Sequence, residues 1–213
     1  MVSNRRYLAL VAIWCFCQPQ IARCESIVGL FSTGVDDVGK VLLDGQVDLH
    51  YEIDGGFLPS YAIAKAPAWA EPPANASWIG PSSSTENDPV RTYSYTTSFI
   101  LNGFDPDTAT ITGNWATDND AHIYLNGLYT GNSKDIFGYE TLAPFSITKG
   151  FVPGLNVLEI RVNNYPSARD NPTALLLSDV EGHAAPVPEP HSWSLLLASI
   201  TALTWRRGCA SNA

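Results

Sequence analysis

Ala121-His-Ile-Tyr-Leu-Asn126-Gly127-Leu-Tyr129 places an Asn-Gly pair between two short apolar runs. Asn and Gly tolerate positive φ at both central turn positions, so this stretch predicts a type I′ β-hairpin. Alternation of apolar and polar residues, the period of a half-buried strand, recurs on both sides of it. Upstream it runs through Val47-Asp-Leu-His-Tyr-Glu-Ile53, Tyr93-Ser-Tyr-Thr-Thr-Ser-Phe-Ile-Leu101 and Ala109-Thr-Ile-Thr-Gly-Asn-Trp115. Downstream come Phe145-Ser-Ile147, then Gly154 to Val162 with Leu158, Ile160 and Val162 on one face, then an apolar run from Thr173 to Val180. No stretch of the domain carries a long 3.6-residue period. Seven to nine strands at intervals of about ten residues predict an all-β fold, an antiparallel β-sandwich or barrel. The expected core includes Trp115, Ile123, Leu125, Phe145, Leu158, Ile160 and Val162.

Composition agrees. Sixteen Gly and 15 Pro supply turns, while six Trp and nine Tyr favour strands. Between residues 25 and 186 there are seven basic residues against 20 acidic ones, a net charge of −13. Such a surface repels phosphate backbones, which excludes nucleic-acid binding. The four cysteines, Cys15, Cys17, Cys24 and Cys209, all lie in the terminal segments. The central domain therefore has no disulfide framework or thiolate metal site and must be held by its core.

The ends read as addresses. Arg5-Arg6 is followed by an 11-residue apolar run, Tyr7 to Cys17, and by Ala22-Arg-Cys24. This is the pattern of a secretory signal peptide handed to the Sec translocon, residues 1–24. At the other end Val187-Pro188-Glu189-Pro190 opens 16 residues without charge, Pro190 to Trp205, and Arg206-Arg207 follow. As a helix those 16 residues would span about 24 Å, a marginal crossing of a bilayer core about 30 Å thick. Trp193 and Trp205 stand as interfacial anchors, and the arginine pairs at both ends stay in the cytoplasm by the positive-inside rule. The expected organisation is a signal peptide (1–24), a β-domain (25–181) and an extended Pro/Ala linker with the sorting motif (182–190). A C-terminal transmembrane helix with its Arg cluster (191–207) and a short tail (208–213) follow.

The Pro-Glu-Pro, apolar segment and Arg cluster resemble the PEP-CTERM sorting signal of Gram-negative bacteria. The resemblance implies recognition by an exosortase in the inner membrane and cleavage near Pro188-Glu189-Pro190. It also implies delivery to the cell surface or extracellular matrix of an exopolysaccharide or biofilm producer. Thr110-Ile-Thr-Gly-Asn-Trp115-Ala-Thr-Asp118-Asn119-Asp-Ala-His-Ile-Tyr-Leu-Asn126-Gly127 resembles the middle of galactose-binding-like jelly-roll domains. The segments Pro144 to Leu158 and Asn171-Pro172-Thr-Ala-Leu are similar to the later part of that family. Phe31-Ser-Thr-Gly34-Val-Asp36, with Gly45, Asp48, His50-Tyr51 and Trp78-Ile79, is similar to other exported proteins with both features. The implied fold is a jelly roll, with any ligand held in the loops at one end.

No nucleophile elbow, zinc-ligand spacing or phosphate loop is present, so the chain is not expected to be an enzyme. Asp48 and Glu52, the carboxylates available to a hydrolase, fall on what reads as the solvated face of one strand. Asp118-Asn119-Asp120, joined by Asp36-Asp37, could ligate calcium; turn chemistry is the plainer use. His50 and His122 read as outward-facing or filling polar gaps. Trp69, in the Pro-rich loop Ala66-Pro-Ala-Trp-Ala-Glu-Pro-Pro, is the freer aromatic that could stack on a sugar; packing is the plainer use. The candidate ligand residues are Trp69, Asp118 and Asn119, with exopolysaccharide as partner. Self-association in a matrix without ligand, or exopolysaccharide hydrolysis, are the alternatives.

Overall fold

The computed structural model describes residues 24–85, 87–167 and 170–187. The signal segment up to Arg23 and the sorting motif and apolar segment from Pro188 lie outside the described residues.

Among the described residues eleven strands follow one another in chain order: β1 (Glu25–Ser26), β2 (Val47–Ile53), β3 (Leu58–Ile63), β4 (Trp78–Gly80), β5 (Arg91–Ile100), β6 (Thr110–Asp118), β7 (Ala121–Leu125), β8 (Leu128–Lys134), β9 (Ala143–Ile147), β10 (Leu155–Asn164) and β11 (Ala174–Ala184). They pair antiparallel along one path, β8-β7-β10-β5-β2-β3-β4-β11-β6-β9, with β1 added onto β11. The two halves of the path face each other across one core. Ile123, Tyr95 and Ile160 from one half cluster with Ile111, Trp115, Phe145 and Leu177 from the other. The fold is thus a sandwich of two sheets, with β5, β7 and β10 alternating buried and more exposed residues. Every core residue named from the sequence is buried.

The predicted hairpin forms at Asn126-Gly127, both at positive φ (51° and 78°). Its Asn126 side chain donates to Asn156 Oδ1 at 2.8 Å and to the Gly150 carbonyl at 2.8 Å. Asn156 is fully buried and returns bonds to Val152 and Gly154. The two segments that carried the family resemblance therefore clamp one another.

The path would leave β8 and β9 as open edges, a template for pairing with other chains. Asn132 of β8 spans the gap. Its amide donates to the Ser146 carbonyl at 2.9 Å, and its Oδ1 accepts the Ser146 N–H at 3.4 Å, as a peptide group would. Asn132→Ala removes both bonds, at about 1–2 kcal/mol. Chemical denaturation will read that loss, and light scattering of the heated protein a greater tendency to aggregate.

The sheets differ in what covers them. A second cluster, Trp69, Trp78, Ala76, Ile63, Ala116, Ala174 and Leu176, roofs the outer side of β4, β11 and β6 with the 64–77 loop. Among the described residues the outer side of β8-β7-β10-β5 has no such roof.

Several expectations need correction. β3 and β4 were hidden in the sequence by Pro59 and by the brevity of Trp78–Gly80. In β2 the alternation inverts at its start. Val47 and Leu49 are exposed and Asp48 is 1% exposed, because a bulge between Asp48 and Glu52 resets the register with β3. Asp48 is not on a solvated face. It accepts the Gly34 N–H at 2.7 Å and the His50 N–H at 2.8 Å, while burial pushes its carboxyl above the usual range. The start of the linker is also structured. β11 continues to Ala184, Pro186 bridges Phe104, and Val187 N–H donates to the Gly103 carbonyl at 2.8 Å.

Glu25 pairs with Ala184, so both described ends of the chain leave the sandwich side by side. β11 and β6 run from that pole, at the His183–Thr110 pair, to the opposite one, at Ala174–Asp118.

Candidate functional site

The far pole is built from the loops that follow β4, β6, β8 and β10. Asp118 and Asn119, joined by a cis peptide, turn the chain from β6 into β7. The Asn119 N–H donates to the Asn163 carbonyl at 3.0 Å, and Asn163 N–H donates to the Asp120 carbonyl at 2.9 Å. These bonds stitch the turn to the end of β10. Thr173 Oγ1 donates to the Asp118 carbonyl at 2.6 Å. Asp88, from the loop after β4, accepts the Thr173 N–H at 3.1 Å and the Ser82 hydroxyl, and its own N–H donates to the Asn171 carbonyl. A mostly buried amide and carboxylate scaffold thus fixes the backbone around an open end.

The sequence singled out Trp69 and Asp118, and the structure brings them together, though not as a ligand platform. Trp69 is 5% exposed and lies against Trp78, ring centroids 4.6 Å apart. Its Nε1–H donates to Asp118 Oδ2 at 2.8 Å. Packing, the role the sequence favoured over sugar stacking for this loop tryptophan, is what the structure shows: the Pro-rich loop folds down as a roof, and Trp69 is its keel. Asp118 sits beneath it, accepting also from Asn119 Nδ2. Burial pushes the Asp118 carboxyl up to about 6, against the two hydrogen bonds that lower it.

Asn119 alone of the three candidates reaches open space. Its Oδ1 accepts the Tyr165 N–H at 3.0 Å, so one amide links the buried carboxylate to the loop after β10. Beside it opens a cleft of about 520 Å³, lined by Asn119, Ile136, Phe137, Tyr139, Tyr165, Pro166, Ser167 and Asn171. Phe137 is 54% and Tyr165 45% exposed, and Phe137 meets Tyr139 edge-on at 6.4 Å. The cleft wall is anchored from behind. Ala70 N–H donates to the Tyr139 carbonyl at 2.7 Å and Thr117 N–H to the Gly138 carbonyl at 3.2 Å. Asp120 faces Tyr165, and their hydrogen bond holds the phenol above its usual range. A smaller hollow of about 220 Å³ lies at the other pole, along the β1–β11 ladder.

Phe137, Tyr139 and Tyr165 were not singled out from the sequence. They sit in loops, where no periodicity marks a side chain. The clue was Tyr165-Pro166 directly after a strand of strict alternation, and aromatics flanking Gly138.

The oxygen groups do not gather for a cation. Asp118 is spent on Trp69 and Asn119. Asp36 accepts from its own loop at Val38 and Lys40, and Asp37 lies 3.0 Å from His50 Nε2. Among the described residues no group of three or more His, Cys, Asp or Glu side chains could hold a metal ion. His50 stacks on Phe31 at 3.7 Å, and His122 meets Tyr129 at 5.5 Å on the outer face.

No known family model and no curated protein sequence matches the chain. Among solved structures, a family 35 carbohydrate-binding module from Clostridium thermocellum is 9% identical and covers 62% of this chain and 90% of its own, at a TM-score of 0.36. CBM35 from Paenibacillus barcinonensis is 11% identical, covering 62% of this chain and 94% of its own at 0.34. CBM35 from Cellvibrio japonicus Abf62 is 11% identical, covering 78% and 95% at 0.32. At these scores the fold rests on the chain's own strands and pairing.

Proposed function

We propose that the domain is a non-catalytic glycan-binding module of an exported surface or matrix protein, with the far-pole cleft as its sugar site. The observation that carries this is the pairing of exposed rings, Phe137 and Tyr165, with the amides of Asn119 and Asn171 around one open cleft. Sugar rings present apolar C–H faces and a rim of hydroxyls, which aromatic faces and amide edges complement. Backbone hydrogen bonds pin the cleft at Asn119, Gly138, Tyr139 and Tyr165, which lowers the ordering cost of binding there. Trp69 and Asp118 support the wall and do not touch ligand.

Export is the sequence-based part of the proposal. It rests on the N-terminal signal pattern and on Val187-Pro188-Glu189-Pro190 with Arg206-Arg207. In that scheme the Sec translocon carries the chain across and the apolar segment holds it briefly in the inner membrane. An exosortase then releases it to a matrix rich in exopolysaccharide. Calcium has no assembled site in this proposal.

The test is a glycan array probed with the exported protein, with and without calcium. Tyr165→Ala and Phe137→Ala are each expected to weaken binding about tenfold or more, on the scale of one lost stacking contact, while the melting temperature holds. Binding indifferent to both substitutions would remove the cleft from consideration.

A further inference from the structure

The outer face of β8-β7-β10-β5 stands apart from the rest of the surface. Pairing aligns Tyr129, Tyr124, Glu159 and Thr96 in one row across the four strands. His122, Arg161 and Ser94 form the next row towards the cleft pole. Towards the pole where the chain ends emerge, the face becomes aliphatic. Leu155 is paired with Ile100, the two 62% and 52% exposed, and Val157 lies two residues along from Leu155.

Charge separates this face from the remainder. Residues 25–186 carry a net −13, yet the outer face of these four strands holds one ion pair. Arg161 Nε and Nη2 grip Glu159 at 2.8 and 2.9 Å, and the guanidinium lies over Tyr124 at 4.1 Å. Ser94 Oγ donates to the same carboxylate. The pair is neutral and internally satisfied. The other sheet has its outer side roofed by the Trp69 loop, whereas among the described residues nothing covers this one.

We infer that this bare face packs against the same face of a second copy, forming a sheet-on-sheet dimer through Ile100, Leu155, Val157, Tyr124 and Tyr129. A copy of this chain is repelled by the acidic remainder of its twin, whereas these four strands present no net charge outward, with Glu52 of β2 beside Thr96 marking their border. The area suits a transient contact. At about 4.8 Å spacing and about 3.4 Å per residue, ten residues each in β5 and β10, seven in β8 and five in β7 give about 520 Å² per copy. The total of about 1,000 Å² belongs to the weak, transient class of interfaces, so the dimer is a reversible one. The self-contained ion pair leaves no orphan charge when water is expelled. This interface is separate from the cleft and does not depend on its ligand.

Sedimentation equilibrium of the full chain in density-matched nonionic detergent reads the association. The wild type is expected to be a monomer–dimer mixture over the micromolar range. Leu155→Asp changes an exposed aliphatic residue, and Ser98→Arg places a charge at an exposed polar position two residues before Ile100. Each should weaken dimerisation about tenfold or more, with the melting temperature unchanged. A wild type that stays monomeric to about 100 μM overturns the proposal. So does association that both substitutions leave intact, since that would come from the apolar terminal segments.

Discussion

Trp69→Ala lowers the stability of the domain by about 3–5 kcal/mol, or roughly 10 °C in melting temperature. Three losses combine. The indole leaves a hole between the 64–77 loop and the outer side of β4, β6 and β11. Trp78 loses its ring partner at 4.6 Å. Asp118 loses the N–H that helps keep its carboxylate tolerable in a buried position. Trp69→Phe separates these effects. It keeps most of the ring and removes the donor, so about 1–3 kcal/mol is expected, together with a further rise in the Asp118 pKa. Thermal unfolding of the two variants is the measurement. A variant that melts like the wild type but fails to hold a sugar would return Trp69 to the role of a binding platform.

Acidity gives the second large effect. Asp118 titrates near 6 in the folded domain, above the 3.8 of a free aspartate. The folded state therefore binds more protons than the unfolded state between about pH 4 and 6. The contribution is fully favourable below about pH 4 and is lost as pH rises through 6. A rise of that size corresponds to on the order of 3 kcal/mol. Asp118→Asn has no such titration. The unfolding free energy of the wild type minus that of Asp118→Asn is thus expected to fall by on the order of 3 kcal/mol between about pH 4 and pH 7. Asp48 is displaced in the same direction, but it is common to both proteins and cancels. A difference independent of pH would mean that Asp118 is solvated.

Most of the sandwich was legible because alternation is a strong local signal. β5, β7 and β10 bury every second residue as their sequences require, and the Asn126-Gly127 turn closes where the chemistry of positive φ puts it. β2 misled because alternation reports parity and is blind to a bulge. Asp48 turned inward since Gly34 N–H, 14 residues away, supplies a donor that no strand pattern contains. Trp69 was only half legible for a related reason. Proline and alanine around it gave a loop correctly, but whether a loop lies flat on a sheet depends on residues far along the chain. Here they are Ala116, Ala174 and Leu176, which present small or aliphatic surface on the outer side of β6 and β11. The cleft rings were the least legible, since loop side chains are brought together by the strands' ends meeting and not by their spacing.

The antiparallel pairing of Glu25 with Ala184 has a mechanical consequence. An anchor attached through residue 24 or residue 187 holds the sandwich at one pole, and no tension needs to pass through the sheets. The 11 residues of β11 then act as a boom about 37 Å long that carries the cleft outward. Pulling the two ends apart, by contrast, would peel the short β1 ladder bond by bond, so the molecule is suited to hanging from a support and unsuited to serving as a link in a loaded chain.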